Sequence, residues 1–509
     1  MQMKKSRRDE NSSYRSILKG ASMFGSVQVF QMLINMVRSK FVAAILGPAG
    51  WGVSGLFTTS AATLTKTCSL GLNLAITKEI AQMSEDNDKL STVVGVARRL
   101  LLATSLFGAL ICLFFSRLLS FSTFDSPAYT WGFILLSIYV AFTISGNGEM
   151  AMLQGLRETK KLMTASIVGS VTGLVVGVPM YYFWGTDGIV PAMCVLGLVT
   201  WGFYRRSISK SLPERPGGFK WAVHAPLVKK MIGIGLILMA SDIIGSFTTY
   251  LAQIFIRHFS DLGTVGLYTS ANMMTMQYSG VVLTAMAMDY LPRLAKVSED
   301  KAGINKIVNR QTEVVSLIIT PVVTLFILLA PLAIRILLTE EFMSALELIR
   351  WMALGVTFKA IMTPLGYVAF VKDNRKLFFW LEGVTGNFLT LILSCLFFRI
   401  FGLVGLGYAM VADGACCLVI YYFVNRRMYG YRFDRKALRS LAISILMSAG
   451  ALLISLEVRG SGMYVAVAVV ALCSVSLSFV MLRKILKADK AEAVPADDSE
   501  STEQNQSEK

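Results

Sequence analysis

Polar side chains recur at helical spacing inside long apolar stretches of this sequence. Four stretches carry such a face, made of Gln28, Gln31, Asn35 and Arg38; Thr59, Thr63, Lys66 and Asn73; Asp242, Ser246, Thr249 and Gln253; and Tyr268, Asn272, Thr275 and Ser279. Residues three or four positions apart lie on one side of a helix. Ionisable groups among apolar helices are costly, and those that occur usually face a water-filled cavity. The four faces therefore predict a polar cavity with bound substrate or ions.

The cations on or near these faces are the first candidate functional groups. Arg38 and Lys66 can donate charge-assisted hydrogen bonds to an anion, and Lys66 has no carboxylate one helical turn away. Lys359, in a later apolar stretch, is a third candidate. Lys40 points away from the Arg38 face, and this position favours an anchor at a membrane interface.

Four acidic residues also lie within apolar stretches: Glu149, Asp242, Glu382 and Asp413. Each could pair with a cation, hold helices together, or bind and release a coupling ion. Asp242 shares a face with other polar residues, so we predict it as the first candidate for ion coupling. The coupling ion would be Na⁺ or H⁺, and no other cofactor is expected.

The remaining reactive residues suggest neither a catalytic centre nor a metal site. The seven cysteines lie in apolar stretches without CxxC spacing, and neither histidine has a serine or cysteine partner at a suggestive spacing. A GxxxxGK[ST] phosphate-binding loop is absent, which argues against direct use of ATP. The sequence thus predicts a protein that is not an enzyme.

The composition is that of a membrane protein. Only 16% of the 509 residues are charged and 54% are hydrophobic, whereas soluble proteins carry about 25% charged residues. Several apolar stretches exceed the roughly 18 residues that cross a bilayer. A soluble enzyme and a nucleic-acid binder are therefore excluded despite the net charge of +17. The predicted fold class is an all-α polytopic membrane protein.

Hydropathy predicts about 14 transmembrane helices. They lie near 18–46, 53–76, 98–118, 129–154, 162–184, 188–205, 230–257, 265–290, 312–338, 346–371, 376–399, 403–425, 439–458 and 462–483. If both termini and every second loop share one side, about four-fifths of the Lys and Arg residues lie there, so the positive-inside rule makes that side cytoplasmic. The opposite loops are too short to hold a catalytic domain.

Short motifs recur at an offset of about 215 residues, which indicates an internal repeat. RETKKL at 157–162 corresponds to KDNRKL at 372–377, and GWGVSG at 50–55 corresponds to GTVGLY at 263–268. Because both copies begin on the same side, we predict two six-helix lobes in a parallel pseudo-two-fold arrangement around a central cavity. The predicted domains are a basic cytoplasmic tail (1–17), a first lobe (18–205), a cytoplasmic linker (206–229), a second lobe (230–425), accessory helices 13 and 14 (426–487) and a disordered acidic cytoplasmic tail (488–509).

Five motifs, in this order and spacing, carry a resemblance to a known family. They are SKFVAAILGPAGWG at 39–52, GLNLAITKE at 71–79, LQGLRE at 153–158, YLPRL at 290–294, and GYVAF at 366–370 followed by 377–382. Over about residues 15–425 the chain resembles the O-antigen and enterobacterial common-antigen flippases. These flippases form the polysaccharide biosynthesis/export family. The MOP superfamily contains this family and also the multidrug-and-toxin extruders.

The resemblance implies a substrate and a mechanism. The substrate would be an undecaprenyl-pyrophosphate-linked oligosaccharide of the O-antigen, capsule or common-antigen type, moved from the cytoplasmic to the outer leaflet of the bacterial inner membrane. Alternating access of the two lobes, driven by an ion gradient or the membrane potential, would move it. The predicted pyrophosphate- and sugar-binding residues are Arg38, Lys66, Lys40, Lys359, Gln28, Gln31, Asn35, Asn73 and Asn272. The cationic cavities typical of the family fit Arg38 and Lys66, and the family's lysine near the end of helix one matches Lys40.

Partners and competing functions follow from the same reasoning. We expect contact with the lipid-linked glycan, membrane lipids and a polysaccharide-assembly polymerase, and none with nucleic acid. The main alternative is a cation-coupled multidrug antiporter of the same fold, whose cavity should be rich in carboxylates and aromatic residues. A membrane glycosyltransferase ranks third, because the outer loops are short and no paired carboxylates stand at a loop. Helices 13 and 14 have no predicted role.

Overall fold

The computed structural model describes residues 2–83, 86–209, 221–457 and 461–492. Side chains are described from residue 30 onward, with gaps at 87–88 and 458–464, within 221–238 and 277–289, and beyond 483. The described backbone is helical almost throughout and contains no strand, so the predicted all-α fold class is confirmed. Part of the predicted linker (210–220) and most of the predicted tail (493–509) lie outside the described residues.

The helices, numbered in chain order, are α1 (Gln2–Cys68), α2 (Leu72–Met83), α3 (Asn87–Phe114), α4 (Ser116–Phe124), α5 (Thr130–Gly155), α6 (Thr159–Val175), α7 (Gly177–Trp184), α8 (Ile189–Ser209), α9 (Trp221–Phe259), α10 (Leu262–Asn272), α11 (Tyr278–Lys296), α12 (Lys301–Leu337), α13 (Leu346–Val371), α14 (Arg375–Phe378), α15 (Gly386–Tyr429), α16 (Arg435–Glu457) and α17 (Ser461–Glu492). Two π-helical segments, Met273–Gln277 and Phe379–Thr385, interrupt the series.

Two of the longest helices are broken at a glycine. Gly47 in α1 has φ +61° and ψ −173°, and Gly402 in α15 has φ +62° and ψ −144°. Glycine alone adopts this backbone region without strain, so each break is a sharp turn between two helices. Pro48 follows Gly47 and starts the second half of α1, where its missing N–H costs no hydrogen bond. Both breaks fall in the short turns that hydropathy predicts.

Nine helical segments of the described chain are long and apolar enough to cross a membrane. They are Phe30–Cys68, Lys89–Phe114, Pro127–Gly155, Thr159–Ser209, Lys301–Leu337, Glu340–Val371, Arg375–Tyr429, Arg435–Glu457 and Val465–Arg483. The segments Thr159–Ser209 and Arg375–Tyr429, of 51 and 55 residues, are each long enough for two crossings. The chain is thus a multi-pass helical membrane protein, and the figure of about 14 helices stays a prediction.

The helices group into two compact units. Unit 1 holds Met1–Ser270 with Ile334–Met343, and unit 2 holds Ala271–Ala333 with Ser344–Lys509. Helix α9, which the sequence repeat assigns to the second lobe, therefore packs with the first helices of the chain. The lobe boundaries derived from the repeat stay a prediction.

In unit 1 the second half of α1 packs along α9 and the start of α10. Close approaches of backbone occur at both ends of this contact, where a Cβ on Gly52 would meet the Leu262 carbonyl and one on Gly71 would meet that of Gly235. Between them, the Thr63 hydroxyl lies 3.3 Å from the Ser246 carbonyl oxygen. As the residue number rises along α1 it falls along α9, so the two helices are antiparallel and their polar faces meet.

In unit 2 a ladder of hydroxyl groups attaches the accessory helices α16 and α17. Between positions 312 and 324 every fourth residue of α12 carries a buried hydroxyl, and α16 presents a similar row, the residues being Thr312, Ser316, Thr320 and Thr324, and Ser440, Ser444 and Ser448. Thr320 donates to Ser444 at 2.7 Å, and the hydroxyl groups of Thr324 and Ser474 are 2.8 Å apart. Small hydroxyl side chains let membrane helices approach closely and bond across the interface.

Arg350 on α13 bonds to the accessory helix α16. The side chain of Arg350 is buried, and Nη1 donates to the Ser455 carbonyl of α16 at 2.9 Å. An arginine near a helix end is ordinarily an interfacial anchor, whereas α16 covers this one.

Candidate functional site

The polar face of α1 lines a cavity in unit 1. Gln31, Asn35 and Arg38 follow one another at steps of four and three residues, and all three border a cavity of about 300 Å³. Small-ligand sites start at about this volume. The structure thus brings three of the predicted binding residues together at one site, which we call the Arg38 cavity.

Helices α5, α6 and α8 supply the other walls of the Arg38 cavity, and their contribution is polar and aromatic. The hydroxyl and amide groups come from Thr143, Asn147, Ser166, Ser170 and Thr200. The aromatic surface comes from Tyr139, Phe142, Trp201 and Tyr204. Hydroxyl and amide groups can bond to sugar hydroxyls, and aromatic rings offer a flat apolar face to a sugar ring.

Arg38 provides the positive charge of this cavity. Its Nη2 donates to the Tyr181 hydroxyl at 3.2 Å, and a Cβ on Gly173 would lie 3.4 Å from Nη1. The glycine therefore makes room for the guanidinium between α1 and α6. No carboxylate among the described residues forms an ion pair with Arg38. A guanidinium with unused donors and no counter-ion is suited to bind an anionic group.

Lys66 lies outside the Arg38 cavity, on the part of α1 that packs along α9. It follows Thr63 by three residues, and Asp242 precedes Ser246 by four, so both charges lie on the same side of the Thr63–Ser246 contact. Lys66 is half-buried and Asp242 is exposed. Neither forms an ion pair within the described part of the chain. Lys66 and Asp242 therefore lie at a similar height along the α1–α9 pair but form no ion pair with each other.

The predicted amides have separate surroundings. Asn73 has a buried Oδ1 without a hydrogen-bond partner in the described structure, and its carbonyl accepts from Thr77 at 2.9 Å. Asn272 is half-buried at the end of α10, next to a π-helical segment. The side chain of Gln28 lies outside the described residues. Neither Asn73 nor Asn272 borders the Arg38 cavity.

Lys40 bonds to the end of another helix. Its Nζ donates to the carbonyl oxygen of Arg335 at 2.6 Å and to that of Leu338. Carbonyl groups at a helix C-terminus lack intrahelical donors, and a cation there is favourable. In this structure Lys40 thus caps α12 and does not border the Arg38 cavity.

Unit 2 holds a second group of predicted residues, which we call the Asp413 cluster: Lys359, Glu382, Asp413 and Tyr421. Lys359 Nζ lies 3.7 Å from Oδ2 of the buried Asp413. Thr390 donates to the same oxygen at 2.9 Å. The Tyr421 hydroxyl donates to Glu382, whose charge also interacts with Lys359. One ammonium group thus pairs with Asp413 and also attracts the charge of Glu382 within the helical bundle.

The segment that carries Glu382 is irregular. Glu382 lies in the π-helical segment Phe379–Thr385, and a Cβ on Gly366 would lie 2.5 Å from its Oε1. The glycine therefore gives the carboxylate room against α13. Single π-helical turns within α-helices are frequent at functional sites. The arrangement can bind and release a small cation or a proton.

Glu149 is the counter-ion of two arginines. Its Oε1 lies 2.5 Å from Arg205 Nη1 and 3.3 Å from Arg98 Nε. These three residues, the Glu149 cluster, carry two positive charges and one negative charge. The cluster borders a separate cavity of about 100 Å³ with Trp201, which also borders the Arg38 cavity.

Spacing along single helices missed several residues of these sites. Arg98 and Arg205 lie near the predicted ends of their spans, where a positive charge ordinarily indicates an interfacial anchor. Tyr181 and Trp201 are aromatic residues among many others. Their roles depend on which helices are neighbours, and no pattern within one helix contains that information.

The chain is similar to proteins of known families. The family model described as "Polysaccharide biosynthesis protein" matches residues 41–347. The lipid III flippase of Escherichia coli (strain K12) is 21% identical over 383 residues, which cover 72% of this chain and 88% of that protein.

Two solved structures show the same fold at low sequence identity. The lipid II flippase MurJ, in an inward closed conformation, matches with a TM-score of 0.71 and 14% identity, covering 91% of this chain and 99% of that one. An inward-facing multidrug resistance MATE family transporter of the MOP superfamily matches with a TM-score of 0.63 and 15% identity, covering 80% and 98%.

Proposed function

The chain belongs to the polysaccharide biosynthesis protein family, and from this premise we propose that it is a flippase for an undecaprenyl-pyrophosphate-linked oligosaccharide. It moves an O-antigen, capsule or common-antigen repeat unit from the cytoplasmic to the outer leaflet of the bacterial inner membrane. The observation that carries the proposal is the Arg38 cavity, where a guanidinium that pairs with none of the described carboxylates lies among hydroxyl, amide and aromatic groups. The similarity to a lipid III flippase supports it.

The cavity chemistry fits the difficult part of such a substrate. A pyrophosphate cannot enter an apolar medium unpaired, because the desolvation cost of its charges is too high. Arg38 supplies charge-assisted hydrogen bonds, while Gln31, Asn35 and the hydroxyl groups of α5, α6 and α8 bond to sugars. The prenyl chain stays in the lipid. Gln28, Asn73 and Asn272 belong to the same proposed substrate path.

We propose that Lys66 is a second cation that binds the substrate. Asp242 interacts with the Lys66 ammonium group while the substrate is absent. Without substrate, Asp242 lies at the level of Lys66 and lowers the energy of the isolated ammonium at long range. A pyrophosphate that reaches Lys66 replaces this weak interaction with direct bonds. Lys40 supports the substrate site indirectly, because its ammonium group bonds to the carbonyl oxygens at the end of α12.

The Asp413 cluster is the proposed site of energy coupling, ahead of Asp242, which the sequence ranks first but which is exposed, whereas Asp413 is buried beside Lys359. Lys359, Glu382 and Asp413 together carry one positive and two negative charges, and this imbalance attracts Na⁺ or H⁺. Glu149 is a weaker coupling candidate, since two arginines already compensate its charge. No other cofactor is proposed.

The proposed setting follows the internal repeat. Lobes 18–205 and 230–425 rock around a central cavity, with the linker 206–229 and both termini in the cytoplasm. Accessory helices 426–487 lie beside the second lobe, and the acidic tail 488–509 extends into the cytoplasm. The partners are the lipid-linked glycan, membrane lipids and a polysaccharide-assembly polymerase.

Transport in reconstituted liposomes tests the function. Labelled undecaprenyl-pyrophosphate oligosaccharide is loaded in one leaflet, and its arrival in the other is followed for wild type, Arg38→Ala, Lys66→Ala and the control Arg117→Gln, whose arginine is exposed at the start of α4. Removing a charge-assisted bond costs 1.5–3 kcal/mol, so each alanine variant should be slower by about tenfold or more. Wild-type rates in correctly inserted Arg38→Ala and Lys66→Ala would contradict the proposed roles.

A double variant separates two roles of Lys66. If Lys66 only balances the charge of Asp242, then Lys66→Ala combined with Asp242→Asn should regain transport. If Lys66 binds the pyrophosphate, the double variant should stay as slow as Lys66→Ala. We expect the second result, and recovery would show that Lys66 serves Asp242 alone.

A cation-coupled multidrug antiporter is the second candidate. The two carboxylates of the Asp413 cluster and the fold shared with a MATE transporter favour it. The positive charge of the Arg38 cavity disfavours it, because cationic drugs would be repelled there. Ethidium efflux from proteoliposomes, without movement of any lipid-linked glycan, would move the protein to this class.

A further inference from the structure

The Glu149 cluster lies at one end of an open groove on the surface of unit 1. Helix α5 packs against both α3 and α8, and Arg98 from α3 and Arg205 from α8 reach Glu149 on α5 from the two sides. Helix α5 is thus the floor of the groove, and α3 and α8 are its walls.

Beyond the cluster the groove is apolar and open. Leu102 and Leu106 continue the wall of α3 from Arg98 at helical spacing and are 65% and 61% exposed. On the floor, Ile138 shares a face with Glu149 and is 45% exposed. On α8, a Cβ at Gly202 would meet nothing within 4 Å. Large apolar side chains exposed on a membrane-spanning bundle are suited to contact lipid chains.

The charged end of the groove has unused capacity for an anion. The Arg98 Nη2 is buried and has no hydrogen-bond partner in the described structure. The arginines outnumber the carboxylate, so the cluster has a net charge of +1. The adjoining cavity of about 100 Å³ has room for a phosphate group but is much smaller than the Arg38 cavity.

We propose that this groove binds an anionic membrane phospholipid, with the headgroup phosphate between Arg98 and Arg205 and one acyl chain along Leu102, Leu106 and Ile138. A phosphodiester carries one negative charge and neutralises the cluster, whereas a pyrophosphate diester carries two and leaves an excess. Basic pockets between helices at the cytoplasmic side of a membrane are known to bind lipid headgroups. Glu149 and Arg205 lie within the last two turns of α5 and α8, at the end predicted to be cytoplasmic.

The proposal does not depend on which substrate is transported. It places a lipid in a groove at the outer surface of α3, α5 and α8, while the proposed transport path uses Arg38 and Lys66. Failure of either proposal leaves the other standing, because the variants and readouts below differ from those of the transport assay.

Lipid titration of the purified full-length protein tests the site. The delipidated protein in detergent is titrated with phosphatidylglycerol, and binding is followed by the rise in melting temperature and by native mass spectrometry. Phosphatidylcholine, inorganic phosphate and undecaprenyl pyrophosphate are titrated in parallel. We expect one saturable phosphatidylglycerol site, weaker binding of phosphatidylcholine, and no rise in melting temperature with inorganic phosphate, which lacks the acyl chain.

Charge variants of opposite sign sharpen this test. Arg98→Gln and Arg205→Gln each remove one charge-assisted contact and should weaken phosphatidylglycerol binding about tenfold. Arg205 has a 43% exposed side chain, so its replacement leaves the fold intact even if Arg98→Gln does not fold. Glu149→Gln raises the net charge of the cluster and should strengthen binding. Arg117→Gln is the matched control and should bind like wild type.

Three results would overturn the proposal. The first is absence of saturable phosphatidylglycerol binding to wild type. The second is unchanged affinity in both arginine variants, which would make the cluster a structural ion group. The third is tighter binding of undecaprenyl pyrophosphate that Arg98→Gln abolishes, which would assign the groove to the transported lipid.

Discussion

Arg38 and Lys359 differ in surroundings although both are isolated cations within apolar sequence. Arg38 bonds to a tyrosine hydroxyl and borders a cavity, whereas Lys359 lies 3.7 Å from a buried carboxylate. Spacing along one helix identifies both as candidates because it shows which face each occupies. It cannot show the partner, since Tyr181 and Asp413 come from helices far away in the chain. Spacing thus groups the residues of one helix face, such as Gln31, Asn35 and Arg38, but does not identify the residues of other helices that lie opposite them.

At the residue scale we predict that Lys359 and Asp413 stabilise the protein as a pair. Lys359→Met leaves the buried carboxylate without its cation and should lower stability by about 1–2 kcal/mol, less than for a fully buried pair because Lys359 is partly exposed. Adding Asp413→Asn should restore part of the loss. Melting temperatures of the two single variants and the double variant measure the coupling, and strictly additive losses would contradict it.

At the scale of elements, the turns at glycine and proline residues could be predicted from the sequence, whereas most of the packing between helices could not. Turns were predictable at Gly47–Pro48 and near Gly402, because these residues interrupt long apolar stretches. The hydroxyl ladder between α12 and α16 was not, because rows of serine and threonine at every fourth position fit many helix pairs. The packing of α9 in unit 1 was also unexpected, since the repeat places it in the second lobe.

The two glycine breaks provide a matched pair of substitutions. Gly402→Ala adds backbone strain alone, since nothing lies within 4 Å of the new Cβ, whereas Gly47→Ala also brings a Cβ to 3.1 Å from Glu341 Oε2. The strain should cost about 1–3 kcal/mol in each variant. We expect Gly47→Ala to have the lower melting temperature. Equal melting temperatures would show that Glu341 moves aside freely.

The hydroxyl ladder can be tested by cross-linking. Cysteines placed at Thr320 and Ser444, whose hydroxyl oxygens are 2.7 Å apart, should form a disulfide in membranes under mild oxidation. A pair at Thr320 and Leu446 is the control, because Leu446 is 70% exposed on another face of α16. Efficient cross-linking of the control pair alone would refute this packing of the accessory helices.

At the scale of the whole molecule, composition suffices to predict the structural class, and the family model adds the relationship to other proteins. The orientation derived from loop charge stays a prediction. The all-α fold needs no tertiary information, because apolar stretches of this length can satisfy their backbone in a bilayer only as helices or closed barrels. The division into two units does need it. Segment Ile334–Met343 groups with unit 1 although α12 begins in unit 2, and hydropathy contains no trace of this.

The predicted orientation can be tested by labelling. Single cysteines at Thr186 and Phe401, in a variant without the native cysteines, should react with a membrane-impermeant maleimide added outside intact cells lacking an outer membrane. A cysteine at Asp373 should react only after the membrane is opened. Reaction of Asp373→Cys from outside would show that the orientation is opposite to the predicted one, with both termini outside the cytoplasm.

The bonds of Lys40 have a consequence for the time course of synthesis. Their acceptors lie 295 and 298 residues further along the chain. At 5–20 residues per second, the ribosome reaches them roughly 15–60 s after Lys40 has emerged. During that interval the first helix is already in the membrane with its ammonium unbonded, so Lys40 must reach the lipid headgroups or be sheltered by the insertion machinery. Completion of unit 1 therefore waits until most of the chain has been translated.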